Sequence, residues 1–336
     1  LKIYAGNCSI SEPLSISAIT IGNFDGVHLG HREIIRQMLQ CAHEMSYPAV
    51  VYTFQPHPIT LLDPDSAPAL INTYHQKRDL LSRLNIDILI EEPFNLSFAN
   101  YSAQQFVEDI LYRTLGVKAI FVGTDFTFGR GGQANIDALS HIAGRYGIAV
   151  HGIEPLSIEG IVVSSTKIRE FVKAGQIKEA NLLLGRDFFI EGSVVHGSHR
   201  GRRLGFPTAN IAPAQNLIPP TGVYVCWAEI HNQIYPAVTN IGHRMTFEQN
   251  SQRWIESHII DFQGDIYGQT MKLYFVERLR DEMLFPSSEA LCLQIEKDIQ
   301  RAIQMCCHHG CDQISDRSSS SDCFREIGVN LEAVTN

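Results

Sequence analysis

Between Ser17 and about Ala174, short apolar runs alternate with stretches of helical period, and this alternation leaves few folds open to the chain. Ala18-Ile19-Thr20-Ile21 reads as a strand, after which Ile34, Ile35, Met38, Leu39 and Ala42 fall on one helix face. Residues 49–54, rich in Val and aromatics, read as a buried strand. Helix follows at 77–84, strand at 86–90, helix at 103–115, strand at 118–122, helix at 136–146 and strand at 148–153. Strands separated by helices of this length need right-handed crossovers, which predicts a doubly wound parallel sheet covered on both faces. Ligands of such sheets sit beyond the carboxyl ends of the strands.

Near residue 185 the rhythm changes. Residues 190–195, 223–230, 234–241, 254–261 and 271–276 look like strands with little helix between them, and His231-Asn232-Gln233 suits a hairpin loop. Such a run predicts a small antiparallel barrel. One helix closes it, started by Pro286-Ser287-Ser288-Glu289 and presenting Ala290, Leu291, Leu293, Ile295, Ile299 and Ile303. The expected domains are therefore 1–184 and 185–303, with 304–336, including Ser318 to Ser321, as a mobile tail.

Composition narrows the class further. A hydrophobic share of 44% can fill two cores, and the net charge of −9 gives no global attraction to nucleic acid or anionic membrane. Apolar runs such as 86–90 are far shorter than the ~20 residues of a spanning helix, and Leu1-Lys2-Ile3-Tyr4 does not open like a signal peptide. Eight cysteines in 336 residues make no disulfide scaffold, so a cytoplasmic enzyme with reduced thiols is expected. Cys306, Cys307, His308, His309, Cys311 and Cys323 lack the usual CxxC spacing of a zinc site, and an unstructured tail is the favoured reading.

The strongest motif is Gly22-Asn23-Phe24-Asp25-Gly26-Val27-His28-Leu29-Gly30-His31, joining a strand to a helix. His28 and His31 share a helix face, Gly30 lets a phosphate approach the backbone, and the helix N-terminus adds N–H groups and a positive dipole end. Together they make a seat for a polyphosphate. Ser164-Ser165-Thr166-Lys167-Ile168-Arg169 opens a later helix with hydroxyls and charge suited to the same phosphates; read alone, an N-cap serine with a solvated basic face is the favoured reading. Two more loops fall at strand ends: Thr53-Phe54-Gln55-Pro56-His57-Pro58 and Gly123-Thr124-Asp125-Phe126-Thr127-Phe128-Gly129-Arg130.

These four loops resemble the prokaryotic bifunctional riboflavin kinase/FAD synthetase family. The second half is similar too, in Gly201-Arg202-Arg203-Leu204-Gly205-Phe206-Pro207-Thr208-Ala209-Asn210, Thr239-Asn240-Ile241-Gly242, Glu256-Ser257-His258-Ile259-Ile260-Asp261-Phe262 and Gly264-Asp265-Ile266-Tyr267-Gly268. Arg280-Asp281-Glu282 and Phe285 also fit, so the resemblance spans roughly residues 15–300.

The resemblance implies two ATP reactions in series, riboflavin to FMN in the barrel and FMN to FAD in the first domain, both with Mg²⁺. Riboflavin, FMN, ATP and FAD are the implied ligands, with no nucleic-acid or membrane partner. His28 and His31 would act on the phosphates in adenylyl transfer, with Gly22, Asn23, Phe24, Asp25, Gly30, Ser165, Thr166 and Arg169 holding the nucleotide. Phe54, His57, Pro58 and Asp125 would line the flavin side. In the kinase, Glu256 would be the base, Thr208 and Asn210 would hold Mg²⁺, and Gly197, Gly201 and Gly205 would form a flap over the phosphates. Without the resemblance Glu256 is an ordinary strand carboxylate, pointing in or out, and Thr208 and Asn210 are turn residues beside Pro207. Two departures from the family pattern stand out: Met245 precedes Thr246-Phe247 where proline is usual, and Gln55 replaces an acidic residue.

Overall fold

The computed structural model describes residues 1–197, 200–243 and 253–309. Its contacts divide the chain into two compact units, Leu1–Ser165 and Thr166–Asn336. The first unit holds a parallel six-stranded sheet of β1 (Lys2–Tyr4), β2 (Ser17–Ile21), β3 (Ala49–Gln55), β4 (Ile88–Pro93), β5 (Val117–Gly123) and β6 (Ala149–Ile153). The strand order is β1-β4-β3-β2-β5-β6, so the direction of winding reverses beside β2 and opens a crevice at the carboxyl ends of β2 and β5. Every residue of β2 is buried, as a strand covered on both faces requires. Helix Leu29–Met45 buries Ile35, Met38 and Ala42 and stops at Ser46, whose φ of 55° breaks the helical path. A short hairpin of β7 (Ser157–Ile158) and β8 (Ile161–Val162) follows the sheet.

The second unit is a closed antiparallel barrel of β9 (Phe188–Val195), β10 (Ala209–Pro213), β11 (Gly222–Ile230), β12 (Gln233–His243), β13 (Arg253–Ile259) and β14 (Thr270–Arg280). Around the barrel they run β10-β13-β12-β11-β14-β9, with β9 pairing back onto β10. His231 and Asn232, both at positive φ, make the tight turn between β11 and β12, with Gln233 already paired to Ile230. The final helix, Ser288–His309, starts under a cap in which the Ser287 hydroxyl accepts the Ala290 N–H. It is pinned to the barrel by Arg280, whose guanidinium meets buried Asp298 at 2.7 Å.

Four strands escape the sequence reading: the two-residue β7 and β8, and the two that join the larger sheets, β1 and β10. β1 is three residues long and half-exposed, and exists by pairing Lys2, Ile3 and Tyr4 with β4. β10 lies between prolines with little β propensity, yet it closes the barrel by pairing with both β9 and β13. The expected tail also begins too early. The helix runs past Ile303 to His309 and buries Cys306 at 1% exposure. The remaining tail residues, Cys311, Cys323 and Ser318 to Ser321 among them, and the segment with Met245, Thr246 and Phe247 lie outside the described residues.

The contact division falls ahead of the expected boundary at 184/185, because helix Ser165–Ala174 from Thr166 onwards and helix Ile177–Leu184 are grouped with the barrel. Asn181 is the link. Its amide donates to Asp187 (2.9 Å) and to the Phe275 carbonyl (2.8 Å), and its oxygen accepts the Phe188 N–H (2.8 Å). Asn181→Ala strands those buried partners, so urea unfolding monitored through the barrel should show a loss of roughly 2–3 kcal/mol. A loss below about 0.5 kcal/mol would detach this helix from the barrel's cooperative unit.

Candidate active sites

After β2 the chain passes through a turn in which Phe24, Gly26 and Val27 all have positive φ. Asp25, 4% exposed, fixes that turn: its carboxylate accepts the N–H groups of Ile71 at 3.0 Å and Asn72 at 3.3 Å, and its carbonyl accepts the Ser165 hydroxyl at 2.8 Å. Phe24 is buried and sets its ring edge-on to His31. His28 caps helix Leu29–Met45, its Nδ1 accepting the His31 N–H at 3.3 Å. A ring nitrogen that accepts carries no proton, which leaves Nε2 as the ring's donor in this arrangement. The two imidazoles stack 3.5 Å apart. A Cβ on Gly30 would lie 3.2 Å from His28 Nδ1 and 3.5 Å from the Val163 carbonyl, so glycine keeps the cap unobstructed.

Lys77 is the residue that sequence reading passes over. Helix Tyr74–Ser82 starts with a capping box between Thr73 and Gln76, which delivers Lys77 into the interior. Its ammonium, on a side chain only 5% exposed as a residue, donates to the Asn23 carbonyl (3.1 Å), the Thr53 hydroxyl (2.9 Å) and the Phe54 carbonyl (3.3 Å). It thereby ties the loop after β2 to the end of β3. Burial pushes its pKa down to about 8, opposed by the charges of Asp25 and Glu91. The one sequence signal was a lysine among the apolar positions of a helix, which is normally read as solvent-facing.

Beside this loop a cavity of about 420 Å³ opens beyond the strand ends, walled by Phe54, Phe94, Phe98, Phe106, Phe126 and Phe128. Gly22, Asn23, Pro58 and Asp125 complete its rim. Of the four residues assigned to the flavin, Phe54, Pro58 and Asp125 line the cavity. His57 instead caps the helix that begins at Pro58, its Nδ1 accepting the Ile59 N–H, while its own N–H donates to the Tyr74 hydroxyl. Gln55 is exposed. Thr166 and Arg169 ride on helix Ser165–Ala174, where Lys167 is engaged by Glu170 at 3.0 Å and lies over the Phe171 ring.

In the barrel, pairing decides which side chains meet. Asn210 on β10 and Asn240 on β12 both register with Glu256 on β13, placing the three side by side. Glu256 lies on the face opposite buried Ile255 and Ser257, so it points away from the barrel core. Trp254 shares its face, and the indole N–H reaches both Asn210 Oδ1 (2.5 Å) and Glu256 Oε1 (2.7 Å). A Cβ on Gly197 would lie 2.1 Å from the Asn210 amide nitrogen, so only glycine lets that segment close over Asn210. Thr208 lines a cavity of about 550 Å³ with Arg202, Pro207, Gly264, Asp265 and Tyr267, and Gly201 packs against Thr208. Gly205, at φ 90°, ends the turn that carries Arg202 and Arg203. Thr208 Oγ1 and Asn210 Oδ1 are neutral oxygen donors, and no cluster of three or more His, Cys, Asp or Glu side chains suited to a metal occurs among the described residues. That donor set fits Mg²⁺ whose anionic ligands come from substrate phosphates.

A nucleotide-binding α/β unit followed by a barrel with its own carboxylate defines a transferase with two catalytic units. The FAD synthetase family matches residues 11–167 and the riboflavin kinase family residues 184–306. A bifunctional riboflavin kinase/FMN adenylyltransferase of Bacillus subtilis is 37% identical over 88% of this chain and 94% of its own length. The protein of that name from Buchnera aphidicola of Acyrthosiphon pisum is 36% identical over 89% and 96%. A Streptococcus pneumoniae crystal structure described as a macrolide-efflux protein has a TM-score of 0.81 and 32% identity over 90% of this chain and 98% of that one. No helix among the described residues here is long and apolar enough to cross a membrane. The chain belongs to the bifunctional riboflavin kinase/FMN adenylyltransferase family, and those are its two activities.

Lys77 makes the first unit's stability pH-dependent with a definite sign. Its folded pKa of about 8 lies below the ordinary 10.5, so between those values the unfolded chain binds more protons and stability rises with pH. The rise amounts to on the order of 3 kcal/mol across that window. Urea unfolding of the native chain and Lys77→Met at pH 7.5 and 10 should show the native chain gaining relative to the variant; parallel behaviour would mean that Lys77 titrates normally.

Proposed function

We propose that the first unit joins FMN to the adenylyl group of ATP, that the barrel phosphorylates riboflavin, and that the residues described above carry the two steps. The supporting observation is the pairing of a capped, stacked His28–His31 seat at a strand end with an Asn210–Trp254–Glu256 cluster on a separate closed barrel. The setting is a cytoplasmic one, with riboflavin, FMN, ATP and FAD as ligands and no nucleic-acid or membrane partner, in keeping with the net charge of −9.

In adenylyl transfer an oxygen of the FMN phosphate attacks the α-phosphorus of ATP, and pyrophosphate leaves. The attacking phosphate has a second pKa near ~6 and is already largely dianionic, so the step needs alignment and charge neutralisation more than a base. His28, protonated on Nε2, and His31 stabilise the charge growing at the phosphate, helped by the N–H groups of the helix start. Gly22, Asn23 and Ser165 hold the nucleotide, while Phe24 and Asp25 support the turn. Phe54, Pro58 and Asp125 receive the flavin in the aromatic cavity, and His57 steadies the helix start that carries Pro58.

In the kinase step Glu256 takes the proton of the riboflavin 5′-hydroxyl as its oxygen attacks the γ-phosphorus, and ADP leaves. A ribityl hydroxyl is a poor nucleophile at neutral pH, so a placed carboxylate is useful here. Thr208 and Asn210 would hold Mg²⁺, which when bound draws charge from the phosphate oxygens. Gly197, Gly201 and Gly205 let the flap approach them.

Two substitutions test these roles. His28→Ala should abolish FAD formation while FMN still accumulates from riboflavin and ATP, as product chromatography would show; loss of both products from a folded variant refutes the division of labour. Glu256→Gln keeps the side chain's size but removes the proton acceptor, so riboflavin phosphorylation should fall by roughly 10²-fold or more, with FMN still converted to FAD. Full kinase activity in that variant would remove Glu256 from the mechanism.

A further inference from the structure

Trp254 offers one N–H to two oxygens that belong to different functions. Asn210 Oδ1, on a side chain 4% exposed, lies 2.5 Å from Nε1, and Glu256 Oε1 lies 2.7 Å from it. The first oxygen belongs to the amide proposed as a Mg²⁺ ligand, and the second to the carboxylate proposed as the base. The strand register fixes the arrangement: Asn210 lies directly across from Glu256, and Trp254 precedes Glu256 by two residues on the same face. Asn210 cannot swing away freely, because its amide nitrogen is confined by the Gly197 backbone.

We propose that Trp254 is a positioning residue for riboflavin phosphorylation, holding the Glu256 carboxylate and the Asn210 oxygen at a fixed separation through its shared indole N–H. The inference rests on the kinase roles given above to Glu256 and Asn210. A carboxylate on a half-buried barrel face still has several rotamers, and only those aimed at the substrate hydroxyl are productive. The indole removes most of that freedom with a rigid ring that has only two torsions of its own. Because a carbonyl oxygen has two lone pairs, Asn210 Oδ1 can accept from the indole and still face a cation. Asn210 Oδ1 would hold Mg²⁺ with the lone pair that the indole leaves free, and a cation there would weaken that oxygen as an acceptor, so that the indole N–H would lean towards Glu256. Metal binding and orientation of the base are thereby linked through one hydrogen atom.

Trp254→Phe keeps an aromatic ring and removes the donor together with the five-membered part of the indole. In steady-state assays its riboflavin kinase kcat should fall about tenfold, with the KM for riboflavin changed less than threefold and the conversion of FMN to FAD unaffected. Added to Glu256→Gln, the same change should cost almost nothing more, since no base remains to be oriented; a merely structural tryptophan would give losses that multiply. Glu256→Gln alone separates the two readings. If it leaves the kinase intact, the assignment of the base fails. If it removes activity while Trp254→Phe has native kcat, only the positioning role fails.

A second readout needs no turnover. The chain has two tryptophans, and Trp227 is fully buried in the barrel. Titration with ADP and Mg²⁺ should therefore change the intrinsic fluorescence of the native chain through Trp254, and should leave that of Trp254→Phe unchanged. A silent native chain at saturating ADP and Mg²⁺ would overturn the link to the metal, and this holds even if the variant proves too unstable to assay.

Discussion

A buried ammonium holds the first unit's site together. Lys77 is surrounded by oxygens from both the loop after β2 and the end of β3, so the polyphosphate seat and the aromatic cavity share a single brace. A parallel sheet leaves the carboxyl ends of its strands without further backbone partners, and something must fix the loops that emerge there. Lys77 does so from within, and Asp25 does so from the other side by holding Ile71 and Asn72. The cost is a desolvated charge, which is the origin of the depressed pKa.

The barrel solves the same problem differently. Its closure leaves no free edge, and Asn210, Trp254 and Glu256 are set by cross-strand register instead of by a brace. Asn210, Asn240 and Glu256 come from three different strands and become neighbours only because those strands pair at those positions. A shift by one residue would turn Glu256 into the core and Ile255 outwards. The buried hydrogen bond between Thr239 and Ser257, at 3.0 Å on the inner face, works against such a slip.

Much of this was legible in the sequence. The alternation of apolar runs and helical faces dictates a parallel sheet, since strands joined by helices cannot pair as hairpins. The dense strands after residue 185 dictate a barrel, because short antiparallel strands need closure to bury their edges. The His28–Gly30–His31 spacing points to a strand-to-helix turn with His28 at its cap, a local property of one segment, and the phosphate seat proposed there rests on that turn. Other features depend on residues far apart in the chain. β1 is too short and β10 too poor in β formers to declare themselves, and they form only because β4, β9 and β13 present open partners. The end of helix Ser288–His309 was misjudged because Cys306 gains its burial from the barrel, not from its sequence neighbours. Lys77 and Trp254 were invisible as site residues for the same reason: their hydrogen-bond partners lie on other elements, or on the same strand face only once the strand exists. Local pattern thus determined the two folds and the strand-to-helix turn that carries His28 and His31, whereas tertiary contact decided which buried donors hold each site in shape, since a donor's role is set by the acceptors that folding brings within about 3 Å of it.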